Sequence, residues 1–239
     1  MKKIILILSI ITITITAFGQ KVIDLKACKG EIIKHAYYTV CLNDSEHVPN
    51  WVCYHLTKKE SVNAVGERKN AFATDKASKF SATPSDYHLS GYDQGHLFSW
   101  SSNQWNDTAA VQCFYMTNMA PQIHTFNAGT WEKIENLERD ARDKIGDVYY
   151  IAGVLKFNQR IGKNKVGVPE IWWKVFVDFK HNQEIAFVFY KSDNYIIHPI
   201  SVTDLEKIIQ LNITPDVSTN IESKFDLNYW NYPTGTKHK

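Results

Sequence analysis

The 239-residue chain has almost no surplus of either charge: 27 Lys and Arg face 25 Asp and Glu. Without residues 1–19, which hold Lys2, Lys3 and no acid, the balance is zero. That excludes a binder drawn to polyanions by a global positive field, so any attraction for phosphate must be local. Cysteine is scarce. Cys28, Cys41, Cys53 and Cys113 fit no common zinc spacing, which argues against a thiolate metal cage. No repeat period, low-complexity tract or linker is visible, which argues against a solenoid, a disordered chain or a second domain. The one long apolar run, Ile4 to Ala17, is too short for a comfortable membrane span.

What is present fits an exported globular protein. Met1-Lys2-Lys3, the apolar run and the small-residue site Ala17-Phe18-Gly19 read as a secretory signal peptide over 1–19. Gln20 follows, and no cysteine stands there to take a lipid, so the expected location is periplasmic or secreted. In that setting the four cysteines are disulfide candidates with three connectivities. Cys41 and Cys53 flank the turn-rich segment 43–50 and are candidates to face each other across a hairpin. Hydrophobic residues make up 44%, with 31 aromatics among them, enough for a sizeable core. The expected organisation is an N-terminal segment over 20–34 and one domain over 35–239, with no indication of oligomeric state.

The β-branched and aromatic runs 37–42 and 51–56 predict a hairpin; 111–116, 148–154, 172–179 and 184–190 predict further strands. Residues 58–86 read as a polar loop of the kind that carries substrate contacts. Trp131, Ile134, Leu137, Ala141 and Ile145 form an apolar stripe predicting a helix over 127–145, stopped by Gly146. Thr203 and Glu206 suggest a capping box opening a short helix over 203–209. Strands joined by hairpins and interrupted by one long helix predict an α+β domain around a mainly antiparallel sheet flanked by helices.

Two stretches carry chemistry. One is Gly91-Tyr92-Asp93-Gln94-Gly95-His96-Leu97; the other opens with Asn118-Met119-Ala120-Pro121-Gln122 and continues through Asn127, Trp131, Glu135 and Arg139 at intervals of four. On a helix that interval drifts by about 40° per step, which places Glu135 and Arg139 at the edge of the apolar stripe, where a cleft would border it. Singly, each residue has a structural explanation: Asn127 as a helix cap, Glu135 with Arg139 as an i,i+4 pair, His96 as a core histidine. None of these accounts for the pattern from Gly91 to His96.

These motifs resemble the DNA/RNA non-specific endonuclease family, the ββα-metal nucleases. The likeness extends to His35-Ala36-Tyr37, Asn50-Trp51-Val52, Tyr150-Ile151-x-Gly153 and Trp173-Lys174-Val175, and covers roughly residues 35–190. It implies a phosphodiester hydrolase acting on DNA and RNA, with His96 as general base. Asn127 would hold one Mg²⁺ (Mn²⁺ is also possible), Glu135 would act on it through water, and Arg139 would contact phosphate. Arg68, Gln94, Arg139 and Asn118 are the substrate-binding candidates. Where most of the family has arginine, this chain has Gln94, which loses a charge and a bidentate donor; Arg68, Lys69, Arg139 and Arg142 are the local replacements. The alternatives are an attenuated or non-catalytic nucleic-acid-binding relative, or a metal phosphodiesterase acting on another ester.

Overall fold

In the computed structural model the described residues are 23–214, 221 and 223–233. The signal-peptide reading of 1–19 lies outside them. The alternating β-branched and aromatic runs assemble into one seven-stranded sheet. Its strands are β1 (Glu31–Lys34), β2 (Tyr38–Asn43), β3 (Val48–Thr57), β6 (Asp147–Ile161), β7 (Val166–Asp178), β8 (Gln183–Tyr190) and β9 (His198–Ile200). They lie in the order β1-β2-β3-β6-β7-β8-β9, every neighbour antiparallel. Between β3 and β6 the chain leaves the sheet and forms a separate two-stranded ribbon of β4 (Asp93–His96) and β5 (Met119–Gln122). That excursion continues into α2 (Glu132–Ile145), ended by Gly146 in a left-handed conformation, φ 89°.

Pleating gives the sheet two buried faces. Val52, Tyr54, Tyr150 and Trp172 face the excursion, where Trp131, Ile134, Leu137 and Ala141 cover them. Cys53, Ile151, Trp173 and Val175 face the other way, beneath Val202 and Leu205 of α3 (Val202–Ile209). Each large apolar side chain so buried contributes about 1.5–3 kcal/mol, which sets α2 firmly on the sheet. The molecule is a single α+β unit, as expected.

Several local expectations are corrected. Residues 111–116 are not a strand: α1 (Asp107–Gln112) runs into a turn there. Asn106 starts it by accepting from Thr108 N at 2.9 Å and Ala109 N at 3.2 Å, a local cap stronger than the apolar pattern. The helix expected over 127–145 begins as a π-helical turn, Phe126–Trp131, so the four-residue spacing does not run along uniform α-helix. Ser201 caps α3 in place of Thr203, its Oγ accepting from Asp204 N at 3.1 Å. No structural break falls between residues 34 and 35, because β1 pairs with β2 and Cys28 is bonded to Cys41. Cys41 and Cys53 do not face each other: the register sets Cys41 opposite Trp51 and Cys53 opposite Thr39. Cys53 and Cys113 are free buried thiols, and burial pushes Cys53 up to about 12.

Candidate active site

The ribbon exists because of one close approach. In β4, Gly95 sits under the buried side chain of Gln122, and a Cβ there would lie 2.2 Å from Gln122 Oε1. Only glycine lets the two strands pair so tightly. Alternation then puts Gln94 and His96 on one side of β4 and Asp93 on the other.

His96 is buried, 7% exposed, against the edges of Phe114 and Phe72 at 5.1 and 5.6 Å. Its Nε2 has no partner among the described residues. Burial, and then the nearby Arg68 guanidinium, lower its pKa from 6.5 to about 3, so the imidazole is neutral at physiological pH. Its backbone carbonyl accepts from Trp131 Nε1 at 2.9 Å, which ties β4 to the start of α2. Arg68 comes from the polar loop. Its guanidinium lies over Phe114 at 5.4 Å and Trp100 at 5.8 Å, which places a cation beside the histidine.

Asn127 is half-buried on the π-helical turn, and its Nδ2 donates to Asp93 Oδ2 at 2.9 Å. That bond turns Oδ1, the better metal ligand, away from Asp93. His124 Nδ1 lies 2.9 Å from the same Asp93 oxygen, with its side chain 79% exposed. One turn into α2, burial raises Glu135 to about 7 against the opposing pull of Lys174 and Arg139, and Glu138 adds to the rise. Arg139 donates through Nη2 to Asn136, while Nη1 is buried without a partner among the described residues. Arg68 acts electrostatically on both His96 and Cys113, and Glu135 acts on Cys113, so the loop, the ribbon and α2 border one another around the end of α1.

Beneath them lies a charged group that the sequence reading passed over. Glu138 and Lys174 are both fully buried and bonded to each other. Glu138 also accepts from Tyr54 Oη at 2.6 Å and Ser102 Oγ at 2.8 Å. Lys174 Nζ sits 5.3 Å from the Trp131 ring, the one that holds His96. A lysine inside the apolar run 166–178 was the available signal, since an unpaired buried lysine is almost never tolerated.

Two substrate-contact candidates are placed elsewhere. Asn118 is fully buried; its Oδ1 accepts from Phe98 N at 2.9 Å and its Nδ2 donates to Phe98 O and Cys113 O at 2.9 and 2.8 Å. It is a strut between loops. Arg142 is likewise spent on Asp143 and the Glu60 carbonyl. Among the described residues no group of three His, Cys, Asp or Glu side chains is arranged to hold a metal. The oxygens of Asn127, Asp93 and Glu135 instead suit a hard, largely hydrated cation that needs few protein ligands.

A two-stranded ribbon that carries the histidine and feeds a helix that carries the asparagine turn and the glutamate is the ββα arrangement of metal nucleases. A family model described as DNA/RNA non-specific endonuclease matches residues 20–231. The chain belongs to that family, and so to the phosphodiester hydrolases. It is 30% identical over 214 residues to a nuclease of Nostoc sp., covering 79% of this chain and 76% of that protein. It is 28% identical to the mitochondrial nuclease EXOG of Xenopus laevis and 30% identical to human mitochondrial endonuclease G, spanning 58% and 52% of their lengths. A crystal structure of the EndoG/EndoGI complex, which concerns EndoG inhibition, superposes with a TM-score of 0.72. Identity there is 26%, covering 79% of this chain and 87% of that one.

Proposed function

We propose that the protein is an exported, metal-dependent endonuclease that hydrolyses both DNA and RNA. The observation that carries the reading is a buried His96 whose Nε2 has no partner among the described residues, beside a cation (Arg68) and on the same ribbon as Asp93, which holds the Asn127 amide. His96 takes the proton from the attacking water. Asn127, oriented by Asp93, would hold a divalent cation, and Glu135 would act on its water shell; such a cation, Mg²⁺ or Mn²⁺, would supply polarisation of the phosphate and charge neutralisation at the departing oxygen. Arg68 and Arg139 take up the phosphate charge. A histidine base makes the 2′-hydroxyl dispensable, so both sugars are accepted. The Cys28–Cys41 disulfide supports an oxidising destination, periplasmic or secreted. The test is incubation with plasmid and with RNA, with and without Mg²⁺ or Mn²⁺. Cleavage of both, abolished by chelation, is expected; no cleavage with either metal overturns the reading.

Gln94 supports a slower enzyme than an arginine-bearing one. It shares a strand face with His96, so a charge at 94 would sit beside the base. Gln94→Arg is expected to raise kcat at least tenfold, and Arg68→Ala to lower it about 10²-fold, in line with roughly 2–4 kcal/mol for a charged transition-state contact. Steady-state kinetics on plasmid DNA checks both.

Glu135 sets a pH dependence. With its pKa at about 7 the carboxyl is mostly protonated at pH 6 and ionised at pH 8, and a bound cation favours the ionised form. Mg²⁺ binding is expected to release close to one proton per ion at pH 6 and almost none at pH 8. Calorimetry in buffers of different ionisation enthalpy measures this, and Glu135→Gln should abolish the release.

A further inference from the structure

In a chain with a net charge of only +2, the 22 residues between Asp147 and Glu170 hold Lys156, Arg160, Lys163 and Lys165 and no acid. They form the outer ends of β6 and β7 and the turn between them. Arg160 is engaged by Glu46 at 2.6 Å, whereas Lys156, Lys163 and Lys165 are exposed and enter no ion pair among the described residues. A hairpin end of this kind is ordinarily just a solvated edge. Its attachment argues otherwise.

The hairpin is locked to the segment that leads into the catalytic ribbon. Asp86, 1% exposed, accepts from Asn164 N at 2.9 Å and Asn164 Nδ2 at 2.8 Å. The same carboxylate accepts from Thr83 N and Thr83 Oγ1, each at 2.8 Å. Gly162, left-handed at φ 65°, lies flat on Asp86, where a Cβ would come within 2.4 Å. Tyr92 Oη donates to Gln159 Oε1 at 2.9 Å, and the next residue, Asp93, holds Asn127. Three residues beyond Asp86, Leu89 stands 92% exposed at φ 53°. The turn is tied down by Ser90 Oγ donating to the Tyr87 carbonyl at 2.7 Å. An exposed leucine in the left-handed region carries both backbone strain and an unburied apolar side chain.

We propose that the β6–β7 hairpin end and Leu89 form one rigid docking surface for duplex polynucleotide outside the cleft. The lysines hold phosphates while Leu89 presses on the sugar and base edges of the groove. This rests on the nuclease reading of the site. It also supplies the local positive charge that a nearly neutral chain needs. The surface sets affinity for long substrates and leaves the chemistry at His96 untouched.

The test uses the full chain in EDTA, with fluorescence anisotropy of a 30-base-pair duplex across 50–200 mM salt. Lys156→Ala/Lys163→Ala/Lys165→Ala is expected to raise Kd at least tenfold and to flatten the slope of log K against log salt by about 2–3, near 0.9 per lost phosphate contact. Leu89→Gly, which suits the backbone and keeps the fold, should weaken binding about threefold with an unchanged salt slope. Turnover of a small chromogenic diester in Mg²⁺ should stay at the wild-type level in both variants. A triple variant with wild-type Kd and slope, while the native protein cleaves DNA, overturns the docking surface alone. A native protein that neither binds nor cleaves polynucleotide overturns the nuclease reading, and the surface falls with it. Tighter binding to phosphatidylserine vesicles than to duplex, lost in the triple variant, also overturns the assignment.

Discussion

His96→Ala is expected to lower metal-dependent cleavage of DNA and RNA by about 10²–10⁴-fold, the range a positioned general base contributes. The fold should survive, because Trp131 bonds the backbone carbonyl of residue 96 and not its ring. A folded variant with wild-type turnover would remove His96 from the mechanism. In the free protein the imidazole is a weak base, held at about 3 by burial and then by Arg68. A bound phosphate offsets the Arg68 charge, so basicity rises when substrate arrives. A bound cation lowers the Glu135 carboxyl below its metal-free value of about 7, so the acid limb of kcat/KM is expected to approach pH 7 at low Mg²⁺ and to move to lower pH as Mg²⁺ is raised.

The same residue leaves a signature in stability. Between pH 6.5 and about 3 the unfolded chain binds a proton at His96 that the folded chain refuses. Stability is thus full above pH 6.5 and falls by about 1.4 kcal/mol per pH unit below it, until the folded pKa is reached. His96→Ala should flatten the acid side of the urea midpoint against pH in that window. This readout does not depend on activity.

Much of this arrangement was legible in the sequence, for reasons that differ by residue. The strands over 148–154, 172–179 and 184–190 were readable because both sheet faces are buried and the apolar runs are nearly continuous. His96, Asn127, Glu135 and Arg139 were readable only through their joint pattern, since each singly has a structural explanation. Residues 111–116 misled because the Asn106 cap upstream of them decides that segment, and β propensity is easily overridden. The π-helical turn at 126–131 has no simple sequence period. Asn118 looked functional for its place in a motif, yet its amide is saturated by backbone. Glu138 and Lys174 stand 36 residues apart, and only the packing of α2 on β7 brings them together.

That buried pair carries the largest expected effect on stability. Glu138→Ala strips the partner from a lysine with no access to water and leaves the Tyr54 and Ser102 hydroxyls without their acceptor. Breaking such a pair costs about 3–5 kcal/mol, which for a domain of this size lowers Tm by roughly 6–20 °C. Replacing both charges, as in Glu138→Leu/Lys174→Met, removes the uncompensated charge and is expected to recover most of that loss. Activity should not recover with it. The ammonium beside Trp131 and the carboxylate one turn beyond Glu135 fix how α2 presents its edge to β4. Lys174 lowers the Glu135 pKa more than Glu138 raises it, so losing both shifts that titration upward. A double variant that regains stability and still turns over at least tenfold more slowly at the pH of its greatest kcat assigns the pair to positioning. Wild-type kcat in that variant would make the pair purely structural. Thermal melts alongside kinetics on plasmid DNA separate the two outcomes.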